Sequence, residues 1–428
     1  MDIEEKRKRL ILITIGVILY FFANIQRVAI PGAIFDLLQK DLQLTTPNVT
    51  ALGAFFMYTY AICQLVVGVL TDRYGGARII TFGSIFFCLG SLLFPLSDNV
   101  LSLYTSRMLV GLGASTIYLS LVKEIKQSFS AKNFGLVLSI ALLVGYMGGI
   151  FANAPFVFFV KKFGWRESLL SIATLTFGFV FLFVLIYFFT KKQPTDSSIK
   201  LNLTPFKIVL ANRKNYSIYL FSGINYGMYY VLQTVIGMKF LQDFCLISVE
   251  KSAIVLSSMA ALYAVSGSLW AFLSNAFYTR KVIFLKAIAC STLTIFTVIS
   301  ILLILDIKNV YLISALLMIL ASCASLSPLL VPLLYDINDK HVSATAVSIM
   351  TCCFYIFVGL LASLTGFLLN IFPAEILATG INRYSNYSYL LIFGFFILLS
   401  LISLANALKI KESKKTERLI SIKHLHVG

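Results

Sequence analysis

Arg27 is the side chain in this sequence best placed for chemistry, because it is a cation inside an apolar run covering residues 10–35. A charge within a bilayer costs about 2.5 to 3.5 kcal/mol on insertion scales, so such a residue marks a functional site by default. Arg27 falls about 17 residues into the run, roughly 25 Å along a helix that rises 1.5 Å per residue, with Asn24 three residues earlier on the same face. A guanidinium facing a wet cavity would hold a carboxylate or phosphate in a fork of donors. Pairing within the bundle, or snorkelling to the headgroups, stays open beside that reading.

The run NYGMYYVLQT supplies a complement: Asn225, Tyr229 and Gln233 recur at i, i+4 and i+8, with Tyr226 and Tyr230 beside them. Such a polar and aromatic stripe is unusual for a lipid-facing surface. Tyr118 and Tyr146, and behind them Asn153, Tyr263, Trp270 and Tyr355, are further candidates to line one cavity, although each taken singly also reads as packing. The expected binding set is therefore Arg27, Asn24, Tyr118, Tyr146, Asn225, Tyr229, Tyr230 and Gln233. A second cation, Arg107, lies inside the fourth run and is followed on one face by Gly111, Ser115 and Tyr118. No Asp or Glu falls near the middle of a run; Asp36, Asp306 and Asp336 stand at the ends. No carboxylate whose proton affinity burial would raise is therefore expected at membrane depth.

The elements that must carry these residues are membrane helices. The chain has 428 residues, 59% apolar and 12% charged, with a mean hydropathy of +0.90, against about 25% charged in soluble domains. Apolar runs long enough to span occur at residues 10–35, 49–70, 79–96, 102–122, 134–160 and 168–189, then at 216–241, 253–277, 282–305, 310–334, 342–372 and 387–408. That is twelve helices in an all-α fold: a first bundle over residues 1–189, a cytoplasmic linker at 190–215, a second bundle over 216–408 and a basic tail at 409–428. The first run is too long for a signal-peptide core and has no small-residue cleavage site nearby, so it is expected to be retained.

The net charge of +17 suggests polyanions, but the Lys and Arg alternate by loop and favour one side about threefold. Topology explains them, with both termini cytoplasmic, and no nucleic-acid partner is expected. Seven Cys without repeated spacing and three His in loops or tail give neither a disulfide framework nor a metal site. No cofactor is expected. An intramembrane enzyme is disfavoured, since no cluster of His, Cys or carboxylate sits at membrane depth.

Residues 68–78, GVLTDRYGGAR, join the second and third runs so tightly that these must be antiparallel neighbours. Gly68 is expected to let another helix approach closely, and Asp72 to sit near a helix N-terminus, where the dipole favours negative charge. Gly75 falls in the same link. Arg73 and Arg78 are expected to tie the helix ends together, and an Arg73 to Glu124 pair would latch that side. A shift of 203 residues lays AFLSNAFYTRK on this hairpin, with Asn275 on Asp72 and Lys281 on Arg78. The glycines are lost in that second copy.

The pattern Gly-x-Leu-x-Asp-Arg-x-Gly-x-x-Arg resembles the loop between helices 2 and 3 of the major facilitator superfamily. Arg107, Gly111 and Gly113 in SRMLVGLGAS resemble its Arg-x-x-x-Gly-x-Gly, and Gly164, Trp165 and Arg166 its Gly-Trp-Arg. The fifth run, GYMGGIFANAP, lacks the Gly-Pro-x-x-Gly pair of the drug-exporting antiporters. The resemblance implies two six-helix halves related by a pseudo-two-fold axis along the membrane normal, rocking around a central site. It implies a secondary transporter, and the helix-1 Arg of members carrying organic anions and organophosphates turns the expectation to a small acidic solute, such as an organic acid, amino acid, phosphate ester or carboxylate chelator. It also gives Arg107 a structural or proton-linked role. The expected partners are that solute, a proton or counter-anion, and the lipid of a bacterial inner membrane, the chain acting as a monomer. The competing reading is a sensor or assembly protein that kept the fold and lost transport.

Overall fold

The computed structural model describes residues 3–190, 203–276, 281–339 and 341–411. Residues 191–202 of the expected linker, most of the tail with His424 and His426, and part of the second hairpin copy lie outside the described residues. In chain order the helices are α1 (Ile3–Ala29), α2 (Phe35–Leu42), α3 (Thr46–Tyr74), α4 (Gly76–Leu93), α5 (Val100–Ser128), α6 (Ala131–Phe151), α7 (Ala154–Phe163), α8 (Trp165–Phe189) and α9 (Thr204–Ala211). They continue with α10 (Lys214–Val231), α11 (Gly237–Asp243), α12 (Val249–Ala276), α13 (Lys281–Ile304), α14 (Val310–Ala324), α15 (Ser327–Ile337), α16 (Ser343–Leu369) and α17 (Asn386–Lys409). A two-residue strand pair, Glu375–Ile376 with Asn382–Arg383, closes the α16–α17 loop.

Among the described residues, eleven helical segments are long and apolar enough to cross a membrane. The seventh run is not among them because it is divided: α10 passes through a π turn at Leu232–Ile236 into α11. Large apolar side chains such as Phe82, Phe177 and Phe272 stand exposed around the bundle, as a lipid-facing surface requires.

Three expected helices are broken where proline removes a backbone donor. The first ends at Ala29, before Pro31, and its continuation to residue 35 is instead a 3₁₀ turn at Gly32–Ile34 leading into α2. Span 134–160 divides into α6 and α7, with Pro155 in the first turn of α7, and span 310–334 into α14 and α15, with Pro328 likewise placed. The expected linker also contains a helix, α9.

The hairpin between α3 and α4 forms, by means that differ from the expectation. Gly75 takes φ of +90°, a conformation open to glycine. The close approach is at Gly76, where a Cβ would lie 2.4 Å from the Ser120 carbonyl oxygen; at Gly68 it would meet only a Leu119 methyl at 4.0 Å. The carboxylate at the start of α4 is Glu124, which accepts the Ala77 amide at 2.8 Å. Asp72 is mostly exposed and pairs with Lys123 at 3.3 Å. Arg73 lies over the Tyr74 ring at 5.2 Å, and Arg78 donates to the Tyr187 hydroxyl at 3.3 Å. The side of the bundle that carries this turn is its hairpin face.

Candidate functional site

Arg27 occupies the last turn of α1, where free carbonyls favour a cation. Its Nη2 donates to the Asn24 side-chain oxygen one turn back. Its Nη1 reaches the Tyr355 hydroxyl of α16 at 3.4 Å, and its guanidinium carbon lies 5.7 Å from the centre of the Tyr230 ring on α10. The first and second halves of the sequence therefore meet at this side chain. Its Nε is buried without a partner.

From Arg27 a cavity of about 520 Å³ extends toward the hairpin face, past Gln64, Leu119, Ser268 and Val331. Among the described residues lining it, Arg27 is the only charged one and nine are tyrosines. Of the expected binding set, the cavity brings together Arg27, Asn24, Tyr118, Tyr146, Tyr229, Tyr230 and Gln233. Asn225 does not line it: its amide nitrogen is spent on the Phe221 carbonyl at 2.7 Å and on Ser403 Oγ at 2.6 Å. Of the wider group, Tyr263 and Tyr355 line it, whereas Asn153 bonds back to the Gly149 carbonyl and Trp270 to the Ser322 carbonyl.

The rings pack as a continuous wall. Tyr229 stacks on Tyr263 at 5.0 Å and 11°, Tyr226 on Phe354 at 4.8 Å and 22°, and Tyr20 on Tyr118 at 5.5 Å and 27°. Tyr20, Tyr60 and Gln64 were not singled out from the sequence. Tyr20 was legible there, since Tyr20, Asn24 and Arg27 fall at i, i+4 and i+7 of one helix. Tyr60 and Gln64 form an i, i+4 pair of the same kind on α3.

Arg107 stands apart from the cavity. It is fully buried and donates to three backbone carbonyls: Leu52 at 3.1 Å, Gln26 at 2.8 Å and Ile30 at 3.3 Å. Two of these belong to the end of α1 and its exit, where helix carbonyls lack intrahelical donors. Arg107 thus fixes the end of the helix that presents Arg27.

Beyond Arg27 the opposite face is closed by contacts between the two halves. Lys239 of α11 is buried between Asp36 of α2 at 2.9 Å and Asp243 at 3.0 Å. Asp243 also accepts the Tyr389 hydroxyl at 2.8 Å and the Tyr384 amide at 3.0 Å. The Tyr384 hydroxyl meets Gln39 and Thr46. Burial pushes the Asp36 carboxyl above its usual range, against the pull of Lys239. Nearby, Trp165 donates to Asp41 at 2.8 Å, and Arg166 binds Asp98 and the Pro95 carbonyl, which pins the loops of this face. On the same side, Lys161 pairs with Glu250, Gly366 packs on Thr50 and Gly359 on Tyr58.

The family profile described as Major Facilitator Superfamily matches residues 16–291. A probable sulfoacetate transporter, SauU, of Cupriavidus necator is 23% identical over 46% of this chain and 44% of its own length. A riboflavin transporter, RibZ, of Clostridioides difficile is 23% identical over 56% of this chain and 53% of its own. The chain thus spans about half the length of these curated relatives. Among solved structures, a bacterial homolog of the human lysosomal transporter Spinster, in an inward-facing and unoccupied conformation, superposes with a TM-score of 0.74. That likeness covers 94% of this chain and 98% of the other at 15% identity, a likeness of fold.

Proposed function

The chain belongs to the major facilitator superfamily, and from that premise we propose that it is a secondary transporter of a small acidic solute, working by alternating access. One observation carries this reading: a lone guanidinium with an unpartnered Nε at the closed end of a cavity otherwise walled by neutral side chains. An isolated cation in such a place is neutralised by an anion that enters, and Arg offers that anion fixed donors. The sulfoacetate relative, whose named substrate is an organic anion, agrees with it in the sign of the charge.

The hairpin face is the cytoplasmic face of a bacterial inner membrane, and both termini lie there. The contacts of Asp36, Lys239, Thr46 and Tyr384 seal the outer side in this inward-facing arrangement. Two bundles, residues 1–189 and 216–408, rock about Arg27, so these contacts break as the outer side opens. The transporter acts as a monomer, coupled to a proton or to a counter-anion.

The test is counterflow in proteoliposomes preloaded with an unlabelled organic acid, against protein-free vesicles. Uptake of labelled acid that depends on the protein and on the internal acid is expected. Absence of flux for every acid tried, with folded protein confirmed by its melting curve, would favour a non-transporting sensor.

A further inference from the structure

We propose that the solute of this cavity is a ring-bearing monoanion carrying a neutral hydrogen-bond donor on the side of the ring remote from the acid, a hydroxy-aromatic carboxylate in chemical class. This rests on the anion reading and deepens it. Three independent features of the cavity define the three parts of the class.

The first is charge. Arg27 is the one charged side chain among the described lining residues. A monoanion neutralises it, whereas a second charge on the ligand finds no second cation among the described lining residues and is desolvated at a cost.

The second is the wall. Aliphatic acids need only apolar contact, which Leu or Val would supply, but here the faces and edges of tyrosines enclose the space on both halves. The Tyr229 and Tyr263 pair and the Tyr226 and Phe354 pair are already stacked near-parallel, and an aromatic ring extends such an array through offset or edge contacts. A volume of about 520 Å³ is in the range of sites for ring-sized and larger ligands.

The third is a pair of unused acceptors. Gln233 is buried, its Nε2 held by the Leu256 carbonyl at 2.9 Å, and its Oε1 has no partner. The Gln64 Oε1 is likewise buried without one. Both side chains line the cavity. A buried unpaired oxygen is costly, and a hydroxyl or ring N–H on the ligand relieves it.

The test uses the purified full-length chain and four matched probes: 4-hydroxyphenylacetate, phenylacetate without the donor, trans-4-hydroxycyclohexylacetate without the aromatic ring, and 4-hydroxyphenylacetamide without the charge. Binding is read as a concentration-dependent rise in melting temperature. The expected result is the strongest binding for 4-hydroxyphenylacetate, with each of the other three weaker by roughly tenfold. Gln64→Leu is expected to narrow the ratio between 4-hydroxyphenylacetate and phenylacetate, and an unchanged ratio overturns the assignment of Gln64 as the acceptor. Equal binding of the cyclohexyl acid overturns the ring assignment and leaves the anion reading standing. Equal binding of the amide, unaffected by Arg27→Gln, overturns the anion reading itself. Equal binding of phenylacetate overturns the donor. No shift from any probe at millimolar concentration overturns the proposal as a whole.

Discussion

Lys239 lies 2.9 Å from Asp36, a buried ion pair between α11 in the second half of the chain and α2 in the first. Asp243 holds the same ammonium at 3.0 Å, so one cation serves two carboxylates at the closed face. Lys239→Met would leave both acids buried without it. Breaking a buried pair by removing one partner costs about 3 to 5 kcal/mol. The variant is expected to melt markedly lower than Asp36→Asn, and a Thr50→Cys reporter at the same interface to label faster with an impermeant thiol reagent. Unchanged melting and labelling would show that the pair does not hold the face shut.

Acidity should act on the same contact. The Asp36 carboxyl is pushed above its ordinary value by burial, in spite of Lys239, with Asp243 on the same helix as that lysine and Tyr389 bonded to Asp243. The closed face therefore binds a proton at Asp36 more tightly than an open, hydrated one would. Closure is favoured below the usual carboxylate range and lost as pH rises through the elevated value. Relative to a cysteine at an exposed position, which reports the thiol's own pH dependence, labelling of Thr50→Cys is expected to slow on acidification in the parent chain and to slow less in Asp36→Asn, where the Asp243 carboxyl, also pushed up by burial, remains.

Arg107 gives a prediction about stability. Its three carbonyl partners each receive a charge-assisted bond, worth about 1.5 to 3 kcal/mol. Arg107→Leu is expected to lose at least about 3 kcal/mol in melting measurements, with Arg107→Lys intermediate, since an ammonium lacks the planar fork. A fully stable Arg107→Leu protein would contradict this.

At the hairpin the two glycines should respond unequally to the same substitution. Gly76→Ala places a Cβ 2.4 Å from a backbone oxygen, whereas Gly68→Ala meets nothing nearer than 4.0 Å. The first is expected to cost about 1 to 3 kcal/mol, as overpacking does, and the second to be nearly neutral. Equal melting temperatures for the two would refute the contrast.

These contrasts show where the sequence was legible. Apolar runs located the spans because the bilayer demands length and apolarity together. They ran through Pro31, Pro155 and Pro328 because averaged hydropathy does not register a missing backbone donor. Arg27, a charge inside an apolar run, and Asn24, Tyr229, Tyr230 and Gln233, which share helix faces, line one cavity. Lys239 gives no signal in the sequence, since a charge at the end of an apolar run looks alike whether it faces water or a buried acid. The π turn at Leu232–Ile236 adds to the difficulty, because it rotates α11 relative to α10 in a way that a 3.6-residue period does not anticipate. Asn225 fitted the period and still missed the cavity, because spacing names a face, not the neighbour that covers it. Here that neighbour is Ser403, 178 residues away.

The most direct measurement of the central claim is counterflow of an organic acid in proteoliposomes bearing the parent chain, Arg27→Lys or Arg27→Gln, each at equal protein content and with melting curves confirming the fold. The account predicts flux in the parent, reduced flux in Arg27→Lys, and none above protein-free vesicles in Arg27→Gln. Flux in Arg27→Gln equal to the parent's would contradict it.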